Sequence, residues 1–371
     1  MPKYTAGIVG FGERGKTLLT IIRTHIPEIT VVSVYDPAES ARDAATRLGL
    51  HACAAEEDFY VKPPNIVFVT TNAADHCQGV IAAAKHGCHI FVEKPLAVSP
   101  DEADQMVEAV KKAGIICTVD FETPFSDSFT VLRQELAREG FGKLTRIEGA
   151  DKGRVPGYDL ETCMPHFLQM IGLLMDSGPV DVFGRVILDG RLATREDIVP
   201  INSISSGYPR RPHNNLGMNA DFIGASYRYG NGVVLNYNLA RLDDAYVAAA
   251  GKHAKPGSQF MNLVFYGTRG QVKWHQTSGG YVYRKEVPQD LLNDSSWLQV
   301  YAPERPDPSW EIPTARLLQD FVRAIENGRQ PTTSIEIARS IVEQVTGIYT
   351  SHLAGGMLID FPLVNRENPL L

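Results

Sequence analysis

The sequence predicts an α/β protein in two parts, an N-terminal doubly wound parallel sheet followed by an α+β region built on a large, mostly antiparallel, open-faced sheet. Three observations predict it. Ala6-Gly7-Ile8-Val9 runs straight into Gly10-Phe11-Gly12-Glu13-Arg14-Gly15 and then a helical segment. Strand-like and helix-like segments alternate with short Gly or Pro punctuation from Lys3 to Val119, as parallel sheets covered on both faces require. Beyond that point longer strands follow one another in hairpin order.

The first strand, the glycines and the helix Lys16 to Ile26 form a strand-turn-helix unit. Gly10 permits the tight turn, Gly12 lets the backbone approach a pyrophosphate, and Gly15 lets helix and strand pack closely. The helix N-terminus offers N–H donors and partial positive charge to phosphates. Ile29 to Tyr35 reads as the second strand and ends at Asp36, about 20 residues beyond the glycines, where a carboxylate accepts from ribose hydroxyls and repels a 2′-phosphate. That favours NAD over NADP. The other reading of Asp36 is a turn cap before Pro37.

Helix Ala38 to Leu48 follows, then a fourth strand, Asn65 to Thr70, closed by Thr71 and by Asn72, a good cap for helix Ala73 to His86. Gly87 ends that helix, His89 to Val92 is the fifth strand, Glu93-Lys94-Pro95 is the next turn, and helix Pro100 to Lys112 leads to the sixth strand, Ile115 to Val119. The expected division is a cofactor-binding domain over 1–122 and a substrate-binding, oligomerisation domain over 123–371.

In the second part, Leu144 to Ala150 opens the new sheet. Ala225 to Tyr229 and Val233 to Tyr237 flank the turn Gly230-Asn231-Gly232, and Leu263 to Tyr266 and Gln271 to Trp274 flank Gly267 to Gly270. The segment from Asp189 to Asp221, rich in Pro, Gly, Ser, Asn and Arg, reads as a long loop or insertion, in which Arg210, Arg211 and His213 either meet an anionic substrate or are simply solvated. Near the end, Leu317, Leu318, Phe321, Val322 and Ile325 make one helical stripe, ending at Gly328. A second helix is expected to start at Thr333, with Glu336 completing a capping box, and to bury Ile337, Ile341, Val345 and Ile348.

With 36 basic against 43 acidic residues and a formal charge of −7, the chain has no basic run suited to nucleic acid or an anionic membrane. No stretch approaches the roughly 20 apolar residues of a spanning helix, and the start lacks a signal-peptide pattern; the expectation is a soluble, cytoplasmic protein. The five cysteines, Cys53, Cys77, Cys88, Cys117 and Cys163, are an odd number without framework spacing and read as reduced core residues. Cys77, His86, Cys88 and His89 straddle a helix, a turn and a strand start, so no metal is expected there.

In a doubly wound sheet the turns at the carboxyl ends of the strands converge on one crevice, and Lys94 lies in such a turn. Burial and a positive nicotinamide ring both favour the neutral amine, which can accept a hydroxyl proton while a hydride leaves the carbinol carbon. Pro95 fixes the turn that aims the side chain. Without context, Glu-Lys-Pro is only an ordinary strand-to-helix turn.

The run Ile66 to Asn72, then His76, then Ala82 to Gly87, then Val92-Glu93-Lys94-Pro95-Leu96 resembles the Gfo/Idh/MocA family of glucose-fructose oxidoreductase and inositol dehydrogenase. The resemblance implies a two-domain enzyme that binds NAD or, less often here, NADP, acts on sugars, cyclitols or similar polyols, and assembles as a homodimer or homotetramer. It implies cofactor contacts from Gly10, Phe11, Gly12, Glu13, Arg14, Gly15, Asp36, Thr70, Thr71, Asn72, His76, Glu93 and Lys94, with Lys94 as acid/base. It also implies a catalytic histidine in the second domain, matched by His166 behind Pro165.

Two departures stand out. Thr162 occupies the position four before His166 where an Asp is usual, and Gln169 stands where an Asp often follows, so His166 either acts as a base or holds substrate hydroxyls. Asp120-Phe121-Glu122-Thr123-Pro124 replaces a more basic pattern with acid; Glu122 either binds substrate or caps a turn. Thr162, Gln169 and Glu122 are therefore candidate substrate contacts. The expected function is an NAD-dependent oxidoreductase of a sugar-like alcohol or ketone, the alternatives being an NAD-dependent glycosidase or lyase with transient substrate oxidation, or a non-catalytic nucleotide and sugar sensor.

Overall fold

In the computed structural model, residues 2–150, 160–200, 216–241, 262–276, 280–286, 296–305 and 310–371 are described. The first sheet has six parallel strands, β1 (Tyr4–Val9), β2 (Ile29–Tyr35), β3 (His51–Cys53), β4 (Ile66–Val69), β5 (His89–Val92) and β6 (Cys117–Val119), in the order β3-β2-β1-β4-β5-β6. β4 is buried at every position, as a strand covered on both faces must be. Between them run α1 (Glu13–His25), α2 (Glu39–Arg47), α3 (Glu56–Tyr60), α4 (Ala73–Lys85) and α5 (Pro100–Ala113). The strand order reverses between β1 and β4, so the turns after these strands face one crevice.

The short β3 and α3 carry too little pattern to have been placed from sequence. α1 begins at Glu13 rather than Lys16, which puts Glu13, Arg14 and Gly15 in its first turn. Asn72 is the N-cap of α4 as expected, but its side chain accepts no capping hydrogen bond. All five cysteines are buried, and none of them is in a disulfide.

After α6 (Asp127–Leu136), the second sheet begins with β7 (Leu144–Ala150), followed by α7 (Met164–Gly172), β8 (Pro179–Leu188), β9 (Arg191–Leu192), β10 (Ile198–Pro200), β11 (Leu216–Met218), β12 (Phe222–Tyr229), β13 (Val234–Ala240), β14 (Asn262–Gly267), β15 (Gly270–His275), β16 (Tyr281–Glu286), β17 (Leu298–Tyr301), α8 (Glu311–Asn327), α9 (Ile335–Leu353) and β18 (Ile359–Asp360). Ten strands among the described residues form it, in the order β17-β16-β15-β14-β7-β13-β12-β8-β18 with β9 beside β8. Both expected hairpins are present, β12 with β13 and β14 with β15. One pairing, β7 with β13, is parallel.

The Asp189 to Asp221 segment is not simply a loop. β9, a 3₁₀ turn over Arg195–Asp197, and the two-stranded ribbon β10-β11 occupy its described parts, because local hydrogen bonds substitute for hydrophobic periodicity, as in the Thr194 capping box with Asp197. Arg210, Arg211 and His213 lie outside the described residues. The capping box expected at Thr333 is replaced by another arrangement: Ser334 is the N-cap of α9, and the Thr333 hydroxyl instead meets Thr118 Oγ1 at 2.9 Å. A bridge from Thr118 to Ser334 thereby joins the edge of the parallel sheet to the start of α9.

Two helices lock the parts together. α8 returns to the parallel sheet, where Leu317, Leu318 and Phe321 share a core with Leu18, Phe68 and Phe91. α9 lies so close to β8 that a Cβ on Gly184 would come within 2.4 Å of the Ile348 carbonyl oxygen, so glycine is required there. The buried Tyr227 hydroxyl donates to the Gln344 carbonyl at 3.0 Å, tying β12 to the same helix.

Candidate active site

The glycine turn is shaped by close backbone approach. Gly10 has φ +87°, and a Cβ there would meet the Thr71 backbone nitrogen at 2.9 Å. A Cβ on Gly15 would press 2.7 Å from the Gly10 carbonyl oxygen. Thr70 holds the turn from the next strand, its hydroxyl donating to the Gly10 carbonyl. Gly12 is the N-cap of α1 and no side chain caps this helix, which suits its first-turn N–H groups to an outside anion. The Asp36 carboxylate accepts from Phe11 N at 2.7 Å and from Ala38 N at 2.8 Å. It therefore makes the turn contact of the plainer reading, and each oxygen keeps a second lone pair for a hydroxyl. These features together fit an adenine dinucleotide.

The turn after β5 supplies Glu93 and Lys94, and the Lys94–Pro95 peptide is cis. Buried His76 braces this turn: its Nδ1 lies 2.8 Å from the Pro95 carbonyl oxygen and its Nε2 lies 3.2 Å from that of Thr71. Burial lowers the His76 pKa, and the neutral ring, with a single N–H, donates to one of these two carbonyls at a time. The Lys94 ammonium donates to the Thr162 carbonyl at 3.1 Å. Thr162 thus meets Lys94 through its backbone, while its hydroxyl lies 3.6 Å from Cys163 Sγ.

Arg14 forms a cluster that the sequence did not reveal. Its Nε donates to Glu93 Oε1 at 2.6 Å, and the guanidinium also pairs with Asp120 Oδ2. Burial works against its charge, yet Asp120 and Glu93 hold the guanidinium above its ordinary pKa. The two carboxyls diverge. Burial pushes Asp120 well above the usual range, whereas Glu93, although buried, is held below it by Arg14. Asp120 Oδ1 is buried with no hydrogen-bond partner among the described residues. The run Asp120-Phe121-Glu122 was the available signal, but nothing local to it names Arg14, which is remote in sequence.

On the far wall, α7 presents His166 and Gln169. His166 Nδ1 lies 3.4 Å from Glu122 Oε2, and the Phe121 ring meets the imidazole edge to face, centroids 5.7 Å apart. Burial, reinforced by Asp120, raises the Glu122 pKa to about 7. Gln169 is fully buried, and neither amide atom has a hydrogen-bond partner among the described residues. The structure thus brings Lys94, Glu122, Thr162 and His166 together, and joins Glu93 to Arg14 of the glycine turn. Behind them a cleft lies between Pro95 to Val98, Pro165 and the α9 residues Ile341 and Val345. Glu161, also on its wall, is raised by burial to about 8.

No helix among the described residues is long and apolar enough to cross a membrane. Residues 4–121 match the model of the Gfo/Idh/MocA oxidoreductase family, NAD-binding Rossmann fold. The chain is 30% identical over 154 residues to a scyllo-inositol 2-dehydrogenase (NAD(+)) of Bacillus subtilis, covering 40% of this chain and 45% of the relative. It is 26% identical over 206 residues to a myo-inositol 2-dehydrogenase of Thermotoga maritima, covering 52% and 61%. The matched segments thus span about half the length of these curated relatives. A UDP-N-acetylglucosamine 3-dehydrogenase from Acidithiobacillus ferrooxidans shares the fold, with a TM-score of 0.70, 17% identity, and 96% of this chain and 100% of that one covered. The glycine turn, the Glu93-Lys94-Pro95 turn and the 3-2-1-4-5-6 strand order all lie within residues 4–121, the part of the chain that matches the NAD-binding Rossmann model of the Gfo/Idh/MocA oxidoreductase family.

Proposed function

We propose that this protein is an NAD-dependent oxidoreductase acting on the CH–OH group of a sugar, cyclitol or similar polyol. The observation that carries the reading is the meeting of Lys94 with the Thr162 carbonyl, beside the His166 and Glu122 pair, at the carboxyl end of the parallel sheet. Residues 1–122 hold the cofactor and 123–371 bind substrate and support a homodimer or homotetramer.

Gly10 to Gly15 and the start of α1 would hold the pyrophosphate, Asp36 the ribose hydroxyls, and Thr70, Thr71, Asn72, His76 and Glu93 the wall along the nicotinamide half. When bound, NAD supplies the hydride acceptor. Lys94, oriented by the Thr162 carbonyl, takes the hydroxyl proton in its neutral form and returns it in the reverse direction. His166, Glu122 and Gln169 position the other hydroxyls; an unpaired buried amide such as that of Gln169 gains most from a polar ligand. Arg14 keeps Glu93 beside Lys94 and so holds the lysine turn against the glycine turn.

Lys94→Ala tests the reading. Calorimetry should show NAD binding within about threefold of wild type, while NADH formation from a panel of inositols and glycosides falls by about 10²- to 10⁴-fold. Undiminished turnover in the variant removes Lys94 from the chemistry, and a wild type that binds NAD but forms no NADH from any polyol rejects the dehydrogenase.

A further inference from the structure

Two crevice carboxyls share one cation. Arg14 stands in the first turn of α1, Glu93 follows β5 and Asp120 follows β6, and the Arg14 Nε donates both to Glu93 Oε1 at 2.6 Å and to Asp120 Oδ2 at 3.0 Å. Both acids are withdrawn from water, Glu93 to 8% and Asp120 to 1% exposure. Lys94, the other cation acting on Glu93, donates to the Thr162 carbonyl. One guanidinium offsets one carboxylate, and a second buried charge beside the first is strongly disfavoured. One of the two carboxyls therefore keeps a proton. The hydrogen bonds say which: Glu93 accepts from Arg14 and, on Oε2, from the Lys94 backbone N–H at 3.1 Å, whereas Asp120 Oδ1 meets no donor among the described residues. Asp120 is the holder, in keeping with the opposite directions in which burial and Arg14 move the two groups.

Strand order puts this pair on the nicotinamide side. Asp36 ends β2 and the glycine turn follows β1, so the adenosine ribose and the pyrophosphate take those positions, while β4, β5 and β6 continue in the opposite direction. We propose that Asp120, on the cofactor placement given above, responds to the redox state of the coenzyme: it holds a proton in the free protein and with NADH, and releases it to solvent when the positively charged ring of NAD⁺ is bound. The two coenzymes carry the same phosphates and differ here by the charge of the ring, so comparing them isolates that charge. A carboxylate gains from a nearby cationic ring and not from a neutral one. Among the described residues, the other charged groups acting on this cluster are Lys94 of the β5 turn and Glu122 of the β6 turn. By linkage, NAD⁺ gains affinity relative to NADH as pH rises.

The test is calorimetry of NAD⁺ and NADH binding to the full chain at pH 6, 7 and 8, each in two buffers of different ionisation enthalpy, which counts the protons exchanged. For at least one of these pH values, NAD⁺ should release about 0.3 proton per site or more beyond NADH, and the ratio of the two dissociation constants should move about threefold or more in favour of NAD⁺ from pH 6 to pH 8. Asp120→Asn keeps the side-chain shape and has no proton to lose, so its two counts should agree within about 0.1 proton. Equal counts in the wild type, or a difference that persists in folded Asp120→Asn, overturn the proposal. If Asp120→Asn does not fold, Lys94→Ala and Glu122→Gln decide, since the difference must survive in both. A wild type that takes up neither coenzyme overturns the cofactor reading together with the proposal, whereas uptake with equal counts overturns the proposal alone.

Discussion

Two arginine and carboxylate clusters join distant parts of this chain, and they are built on opposite plans. At the crevice, one guanidinium, Arg14, serves two carboxyls, Glu93 and Asp120, the latter 1% exposed and raised well above its ordinary pKa by burial. Where α5, α9 and the C-terminal segment meet, two guanidinia serve two carboxylates. Arg366 donates to Asp104 at 2.8 and 3.0 Å and pairs with Glu343, and Arg339 reaches both acids. There Asp104 is held below its ordinary value because Arg366 and Arg339 outweigh its burial. The second cluster balances its charges and fastens the C-terminal segment. The first keeps an uncompensated acid in a cofactor crevice, a departure from stability-driven design that commonly marks a functional site.

The largest test of that contrast is Arg14→Met. It leaves two carboxyls buried without their cation, and we expect a loss of about 3–5 kcal/mol at pH 7 in urea unfolding, together with weakened NAD binding in calorimetry. The loss should shrink at pH 5, where the abandoned carboxyls take up protons. A loss below about 1 kcal/mol would make the two clusters equivalent.

Asp120→Asn should do the opposite. Because the folded-state pKa of Asp120 is raised, wild-type stability falls as pH rises from the ordinary carboxylate value towards that raised one. Asparagine does not titrate, so the variant's advantage should grow between pH 5 and pH 7 to about 1–3 kcal/mol. A variant less stable than wild type at pH 7 would show that ionised Asp120 stabilises the crevice.

The smallest change is expected from Asp104→Asn, about 1 kcal/mol of destabilisation at pH 7, since this acid is partly open to solvent. Its depressed pKa gives the reverse sign: the stabilisation is present above the ordinary carboxylate value and lost as pH falls through the depressed one. Melting curves of variant and wild type should therefore converge below about pH 4, and NAD affinity should be unchanged. If affinity falls, the second cluster is coupled to the crevice after all.

The same contrast explains what was legible beforehand. The strand-glycine-helix unit, the apolar runs of β4 and β5 and the two hairpins rest on local periodicity and turn chemistry, and all of them are found where expected. The Asp189 to Asp221 segment misled because its strands are only two or three residues long, too short to show a period, with side-chain capping in place of periodicity. Thr333 misled because its hydroxyl had a better partner in Thr118, distant along the chain, than in its own helix.

By itself, the sequence determined the parallel sheet, the glycine turn and the position of Lys94 at a strand end, because each depends on residues within a turn or two of one another. Tertiary structure alone decided that Arg14 joins Glu93 to Asp120, that Thr162 offers Lys94 a carbonyl, and that Glu122 faces His166. Those contacts link residues far apart in the chain, and their electrostatics depend on burial, which only packing both sheets around one crevice can impose.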